Sequence, residues 1–79
     1  MKLPRDISAQ DLVKASKKLG YEVTRQVGSH IRLTTEQNGQ HHITIPNHDP
    51  IKIGTLSAII ADIANHFNIT KDQVIQTLW

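Results

Sequence analysis

Five histidines are the side chains of this sequence that could most readily exchange protons near neutral pH. His41 and His42 are neighbours on a predicted strand, so their side chains point to opposite faces and would not bind one metal ion together. His66 falls on the polar side of a predicted helix, close to its end, where a positive charge is mildly favoured. We interpret these three as ordinary residues of a strand and of a helix surface.

His30 and His48 differ because both lie in predicted loops at the ends of strands, where a rigid framework can present a side chain to a ligand. His30 stands opposite Pro46 in the predicted strand pairing, so His48 lies two residues beyond the point that faces it. Two histidines, without cysteine and without a convergent carboxylate, fall short of the three protein ligands typical of a catalytic zinc ion. We therefore expect no metal here.

Other familiar kinds of site lack their motifs. No stretch resembles the nucleophile elbow of hydrolases, so the sequence does not indicate a trio of hydroxyl, base and carboxylate for acyl transfer. Gly54 and Thr55 stand at a predicted helix start that could bind one anion, but the phosphate loop of nucleotide-binding proteins is missing. We expect no cofactor.

RNA cleavage needs less machinery, because the 2′-hydroxyl of RNA is a built-in nucleophile and the site must supply only proton transfer and charge stabilisation. His30 is the candidate catalytic residue for such a reaction. Polar and basic side chains could hold the phosphates. The candidates for this role are Ser29, Arg32, His48, Lys52 and the first-helix lysines Lys14, Lys17 and Lys18.

The composition sets broad limits. A chain of 79 residues fits one small domain spanning residues 1–79. The formal net charge of +2 and the pI of about 9.2 lean only slightly towards a polyanionic partner. Cysteine is absent, and the first ten residues lack the apolar core of a secretory signal. We expect a cytoplasmic protein that does not enter a membrane.

Hydrophobic periodicity predicts the element order αβββαα. The predicted helices cover residues 8–19, 55–67 and 70–78, and the predicted strands cover residues 21–27, 31–35 and 41–46. Three antiparallel strands with one apolar face need a cover, so the first two helices should pack on that face and leave the other face in water. The sequence thus predicts an α+β fold.

The predicted register of the second hairpin depends on the turn marked by Asn38 and Gly39. A two-residue loop would mix apolar and polar side chains on one face of the sheet. A three-residue loop, 37–39, pairs Leu33 with Ile43 and keeps one face apolar, so we predict this register.

By the same reasoning, the first hairpin is predicted to turn through three residues, 28–30. That turn pairs Val27 with Ile31 and sets Thr24 beside Thr34 on the polar face. Arg25 then falls on the apolar side, where we expect it at the margin, with its stem packed and its guanidinium in water.

Three stretches of the sequence are Gly28-Ser29-His30, Ile43-Thr44-Ile45-Pro46-Asn47-His48 and Gly54-Thr55-Leu56-Ser57-Ala58-Ile59-Ile60. In this order and spacing they resemble the HicA toxin family, also called YcfA-like, of type II toxin-antitoxin systems. The resemblance runs from the first predicted helix to the second. The sequence departs from the family pattern at Ile53, where such sequences often have proline, and in its third helix.

The resemblance implies a fold like the double-stranded RNA-binding domain and an mRNA interferase activity that arrests translation until a HicB-like antitoxin covers the toxin. It places the family's catalytic histidine at His30, and it assigns the histidine after the strand's proline to His48. Two alternatives serve the same residues. One is a non-catalytic RNA-binding module, and the other is a small domain that docks a protein partner.

Overall fold

The structure is a computed structural model that describes residues 3–79. The elements in chain order are α1 (Ala9–Ser16), a 3₁₀ turn (Lys17–Leu19), β1 (Glu22–Val27), β2 (His30–Thr35), β3 (His41–Pro46), α2 (Ile53–Phe67) and α3 (Lys71–Leu78). The strands form one antiparallel sheet in the order β1-β2-β3. This architecture confirms the predicted α+β class and is consistent with the fold of a double-stranded RNA-binding domain.

Helices α1 and α3 each begin at a capping box. In this motif the residue before the helix and the third helical residue each accept, through the side chain, a hydrogen bond from the other's backbone amide. The Ser8 hydroxyl accepts a hydrogen bond from the Asp11 amide, and the Asp11 carboxylate accepts one from the Ser8 amide. Thr70 and Gln73 form the same arrangement at α3. By contrast, α2 begins at Ile53 without a side-chain cap, two residues earlier than predicted.

The core lies between the helices and one face of the sheet. Alternate residues of β2 and β3 are buried there, and apolar positions of α1, α2 and α3 complete the cluster. The sheet supplies Ile31, Leu33, Ile43 and Ile45, and the helices supply Leu12, Leu56, Ile60, Ile63, Val74 and Leu78. Because the helices cover this face, the alternate side chains of β2 and β3 point to the opposite, open face.

The register of the second hairpin is confirmed. Leu33 pairs with Ile43 and Ile31 pairs with Ile45, so all four side chains are buried on the helical side. His30 pairs with Pro46, which was also predicted.

The predicted register of the first hairpin is wrong by one residue. The turn consists of two residues, Gly28 and Ser29, and Val27 pairs with His30. Gly28 has φ +57°, and a positive φ at the first turn position is what a two-residue II′ turn requires. His30 is therefore the first residue of β2 and not a turn residue, which corrects the sequence prediction.

The pairing between β1 and β2 shifts by one residue at a β-bulge at Thr24. On the turn side of the bulge Arg25 pairs with Arg32, whereas beyond it Val23 pairs with Leu33. Because of the extra residue, Val23 faces the helices although Arg25, two residues further along, faces the open side. Arg25, which the two-residue turn pairs with Arg32, lies on the open face of the sheet, so the prediction that it lies at the margin of the apolar face is wrong.

Candidate active site

His30 occupies an exposed position on the open face of the sheet. Its neighbour Ile31 is 2% exposed and points into the core, so the His30 imidazole points the other way. The ring forms no hydrogen bond or ion pair with any other residue in the range 3–79. An imidazole in this position is free to exchange a proton with a bound molecule.

A shallow concavity of about 300 Å³ surrounds this ring. Its lining consists of Arg25, Val27, His30, Arg32 and Thr44, which come from all three strands. Two of these residues carry permanent positive charges, because guanidinium groups stay protonated in proteins. The concavity therefore combines one proton-exchanging group with two cationic groups on one open surface.

Neither of these guanidinium groups is neutralised by a carboxylate of the described chain. Arg25 and Arg32 are direct cross-strand partners, yet no ion pair involves either of them within residues 3–79. Like charges directly opposite each other on neighbouring strands destabilise a sheet. An anion bound between them would relieve this repulsion.

A chain of polar contacts supports the strands next to the concavity. The hydroxyls of Thr24 and Thr34 lie 2.9 Å apart, and the Thr34 hydroxyl lies 2.7 Å from Nδ1 of His42. The Thr24 hydroxyl also donates a longer hydrogen bond, 3.4 Å, to the carbonyl oxygen of Arg32. The bulge residue is thus tied to β2 on both sides of the point where the register shifts.

His41 lies on the helical side of the sheet and makes more contacts than the sequence indicates. Its Nδ1 lies 2.7 Å from the Tyr21 hydroxyl, and its Nε2 lies 3.2 Å from a carboxylate oxygen of Asp62. The structure thus contains a hydrogen-bonded series of hydroxyl, imidazole and carboxylate that the sequence does not reveal. The reason is that its members are separated by 20 and 21 residues.

This series does not form a nucleophilic site. Tyr21 is 0% exposed, so a substrate has no access to its hydroxyl. Burial, and to a smaller extent the negative charge of Asp62, raises the pKa of the Tyr21 phenol well above its ordinary value. A phenol that stays neutral and is sealed in the core is a structural group.

His66 also has a structural role that the sequence did not reveal. Its ring stacks on His41 with centroids 4.3 Å apart and planes 9° apart. Its Nε2 donates to the carbonyl oxygen of Gln37, and its own carbonyl oxygen accepts from the Asn38 side chain. His66 therefore fastens the loop between β2 and β3 to the end of α2, which corrects its interpretation as a simple surface residue.

The structure separates the other loop candidates from the ring of His30. Ser29 lies in the turn, and its carbonyl oxygen accepts a hydrogen bond from Asn47. His48 is exposed, but it does not line the concavity, and its carbonyl oxygen accepts from Ala9 at the start of α1. Lys52 is the residue that precedes α2 and also lies outside the concavity.

The three lysines of the first helical segment belong to a different surface. Lys14 and Lys18 line a second concavity of about 250 Å³ together with Trp79. The Lys18 ammonium group donates to the carbonyl oxygen of Leu78. Lys17 is exposed in the 3₁₀ turn. Of the basic residues proposed from sequence to hold phosphates, Arg32 alone shares the concavity with His30.

Sequence reasoning missed Arg25, Val27 and Thr44 as neighbours of His30. The usable signal was the dipeptide Gly28-Ser29, which is typical of two-residue hairpin loops. A two-residue turn places Val27 beside His30 and Arg25 beside Arg32. The position of the bulge, by contrast, has no mark in the sequence.

Two further features bear on the class of protein. Within the part of the chain that the structure describes, no group of three or more His, Asp or Glu side chains is placed to hold a metal ion. The same part contains no helix that is both long enough and apolar enough to span a lipid bilayer.

Comparison with known proteins identifies the family. A family profile described as HicA toxin of bacterial toxin-antitoxin systems matches residues 9–64, which is more than half of the chain. The matched segment contains the whole sheet, the concavity and α1, and most of α2. No curated protein and no solved structure matches the sequence. On the strength of the profile match, the chain belongs to the HicA toxin family of bacterial toxin-antitoxin systems.

Proposed function

We propose that this chain is an endoribonuclease, an mRNA interferase, in which His30 transfers a proton during cleavage of RNA. The observation that carries this proposal is the exposed imidazole of His30, which has no partner among residues 3–79, in a concavity that also contains two guanidinium groups. Membership in a toxin family supports it, because RNA cleavage would arrest translation.

The reaction uses the nucleophile that RNA carries. The 2′-oxygen attacks the adjacent phosphorus, a new O–P bond forms, and the bond from phosphorus to the 5′-oxygen of the next nucleotide breaks. One proton leaves the 2′-hydroxyl and one reaches the 5′-oxygen. His30 is the one histidine that lines the concavity, and imidazole is a common general acid and base, so it performs one of these transfers and water performs the other.

Arg32 stabilises the charge that develops during the reaction. The phosphoryl oxygens gain negative charge in the transition state, and a fixed cation nearby lowers the energy of that state. Arg32 lies two residues from His30 on the same strand and the same face, roughly 7 Å away along the backbone. When the reacting 2′-hydroxyl lies at His30, the long side chain of Arg32 can therefore reach the adjacent phosphate.

A HicB-like antitoxin is the proposed protein partner, and mRNA is the proposed substrate. The open face of the sheet is the surface that such an antitoxin must cover to keep RNA away from His30. Ser29, His48 and Lys52 lie near the strand ends and are proposed to contact the RNA outside the concavity.

The decisive experiment compares the parent protein, freed of antitoxin, with His30→Ala and His42→Ala on a defined RNA. His42 is the matched control, because it is an exposed histidine of the same sheet whose Nδ1 already lies against Thr34. We expect His30→Ala to slow cleavage by ~100 to 10,000-fold, the usual value of proton-transfer catalysis, and His42→Ala to cleave at nearly the parental rate. Circular dichroism would verify that both variants fold.

Two results would contradict the proposal. Parental cleavage by His30→Ala would remove this residue from the chemistry. Salt-sensitive binding of RNA that is recovered intact from the parent protein would instead identify a non-catalytic RNA-binding module.

A further inference from the structure

Arg25 and Arg32 form a pair of guanidinium groups that the packing of the protein does not require. Both lie on the open face of the sheet, both line the concavity at His30, and neither meets a carboxylate within residues 3–79. The two-residue turn at Gly28 and Ser29 brings them together, because it pairs Arg25 directly with Arg32.

This arrangement costs free energy in the absence of a ligand. The two positive charges repel each other across the strands, and the same turn leaves Val27 57% exposed on the open face. The bulge at Thr24 adjoins Arg25, and β-bulges are over-represented next to active sites. A ligand that neutralises both charges and covers Val27 would offset these costs.

The chemistry of the pair favours one kind of ligand. A guanidinium group presents several N–H donors in a planar fork that matches two oxygens of a phosphate, and it remains charged at every physiological pH. Two such groups on adjacent strands can bind the two non-bridging oxygens of one phosphodiester from both sides. Val27 at the edge of the concavity offers an apolar contact for the ribose or base.

We propose that Arg25 and Arg32 together bind the phosphodiester that is cleaved, and that Arg25 is a substrate-binding residue positioned by the two-residue turn at Gly28 and Ser29. This inference rests on the proposed function and deepens it, since it names a second phosphate-binding residue and the structural device that places it.

The test measures binding of a short, fluorescein-labelled single-stranded RNA in the His30→Ala background, where the RNA stays intact. We expect Arg25→Gln to weaken binding by about tenfold or more, as for the loss of a hydrogen bond to a charged group. The slope of log K against log salt should fall by roughly 0.7, the value for one lost phosphate contact with a single strand.

Lys71→Gln is the matched control for lost charge. Its ammonium group donates to Ser57 in the helical layer, away from the concavity, so its removal should change binding by about twofold or less. Arg25→Lys keeps the charge but loses the planar fork, and we expect its affinity to lie between those of the parent and Arg25→Gln.

The inference is overturned if Arg25→Gln binds RNA no more weakly than Lys71→Gln does. It is equally overturned if Arg25→Gln keeps its RNA affinity but loses affinity for the antitoxin, since the arginine pair would then serve a protein carboxylate. Failure of the proposed function looks different: a parent protein that does not cleave RNA, while Arg25→Gln still weakens RNA binding, leaves the phosphate site standing without the nuclease.

Discussion

His30 and Tyr21 are both polar side chains near the sheet, but one is exposed to solvent and the other is buried. The His30 ring is exposed and has no partner among the described residues, whereas the Tyr21 hydroxyl is buried and hydrogen-bonded to His41. Sequence patterns made His30 a candidate, because a histidine in a predicted hairpin turn can be seen in the local sequence. They could not identify the contact between Tyr21 and His41, because it depends on the packing of distant segments.

Burial of the Tyr21 phenol makes stability sensitive to alkaline pH. Since the pKa of this phenol is raised in the folded state, the unfolded chain loses its proton first, near the ordinary value of about 10. The folded protein then binds more protons than the unfolded chain, so its stability declines as the pH rises through this region. Below that pH the contribution of Tyr21 is fully present.

We therefore expect Tyr21→Phe to be less stable than the parent by ~1 kcal/mol near neutral pH, where it lacks the hydrogen bond to His41. Above about pH 10 the difference should shrink, because the variant has no phenol to ionise on unfolding. Urea unfolding of both proteins across this range measures the effect, and the lysines common to both cancel. Equal pH slopes for the two proteins would show that Tyr21 does not control the alkaline loss.

The two hairpins differ in how far the sequence determines them. In the second hairpin, the buried residues Ile31, Leu33, Ile43 and Ile45 allow one register, since a shift by one residue would expose them all. In the first hairpin, β1 is an edge strand whose side chains are all exposed. Burial does not select its register, and the two-residue turn does.

The candidate site was therefore predicted only in part. His30 and Arg32 lie on β2, whose orientation is set by the core, and both were identified from sequence. Arg25 lies on β1, whose register is set by the two-residue turn, and the predicted three-residue turn placed it on the wrong face. The sequence did not reveal that β1 has no buried side chains. Without them, burial could not indicate its register.

The junction between the first helical segment and β1 offers a test of packing at the scale of elements. Gly20 closes this segment with φ +81°, and an added Cβ would lie 2.8 Å from the Thr35 hydroxyl. That hydroxyl is buried, donates to the carbonyl oxygen of Leu19 and accepts from the amide of Gln37. A side chain at Gly20 would therefore disturb both the backbone and this pair of hydrogen bonds.

We expect Gly28→Ala to destabilise the protein by roughly 1 to 3 kcal/mol, the cost of a sparsely populated positive-φ backbone conformation alone, because nothing lies within 4 Å of its added Cβ. Gly20→Ala should cost at least about 1 kcal/mol more, since it also displaces the Thr35 hydroxyl from its partners. Urea unfolding of the two variants measures the difference. Equal losses would mean that Thr35 moves aside without losing its hydrogen bonds.

At the scale of the whole molecule, the two layers carry different kinds of positive charge. The sheet face presents Arg25 and Arg32 beside His30, whereas Lys14, Lys17 and Lys18 lie on the helical layer, which covers the other face. Since the concavity at His30 is on the open face, bound RNA should lie across the sheet. The lysines then act on RNA mainly through the long-range field that attracts a polyanion.

Replacing Lys14, Lys17 and Lys18 together by Gln removes three positive charges from a formal net charge of +2 and makes the chain net negative. We expect RNA binding at low ionic strength to weaken by a few-fold, and the loss to vanish at high salt, because screening removes long-range attraction first. The cleavage rate at saturating RNA should stay close to that of the parent, since His30 and both arginines remain in place. If this rate instead falls far below that of the parent, the lysines contact the reacting RNA and the RNA does not lie across the sheet face.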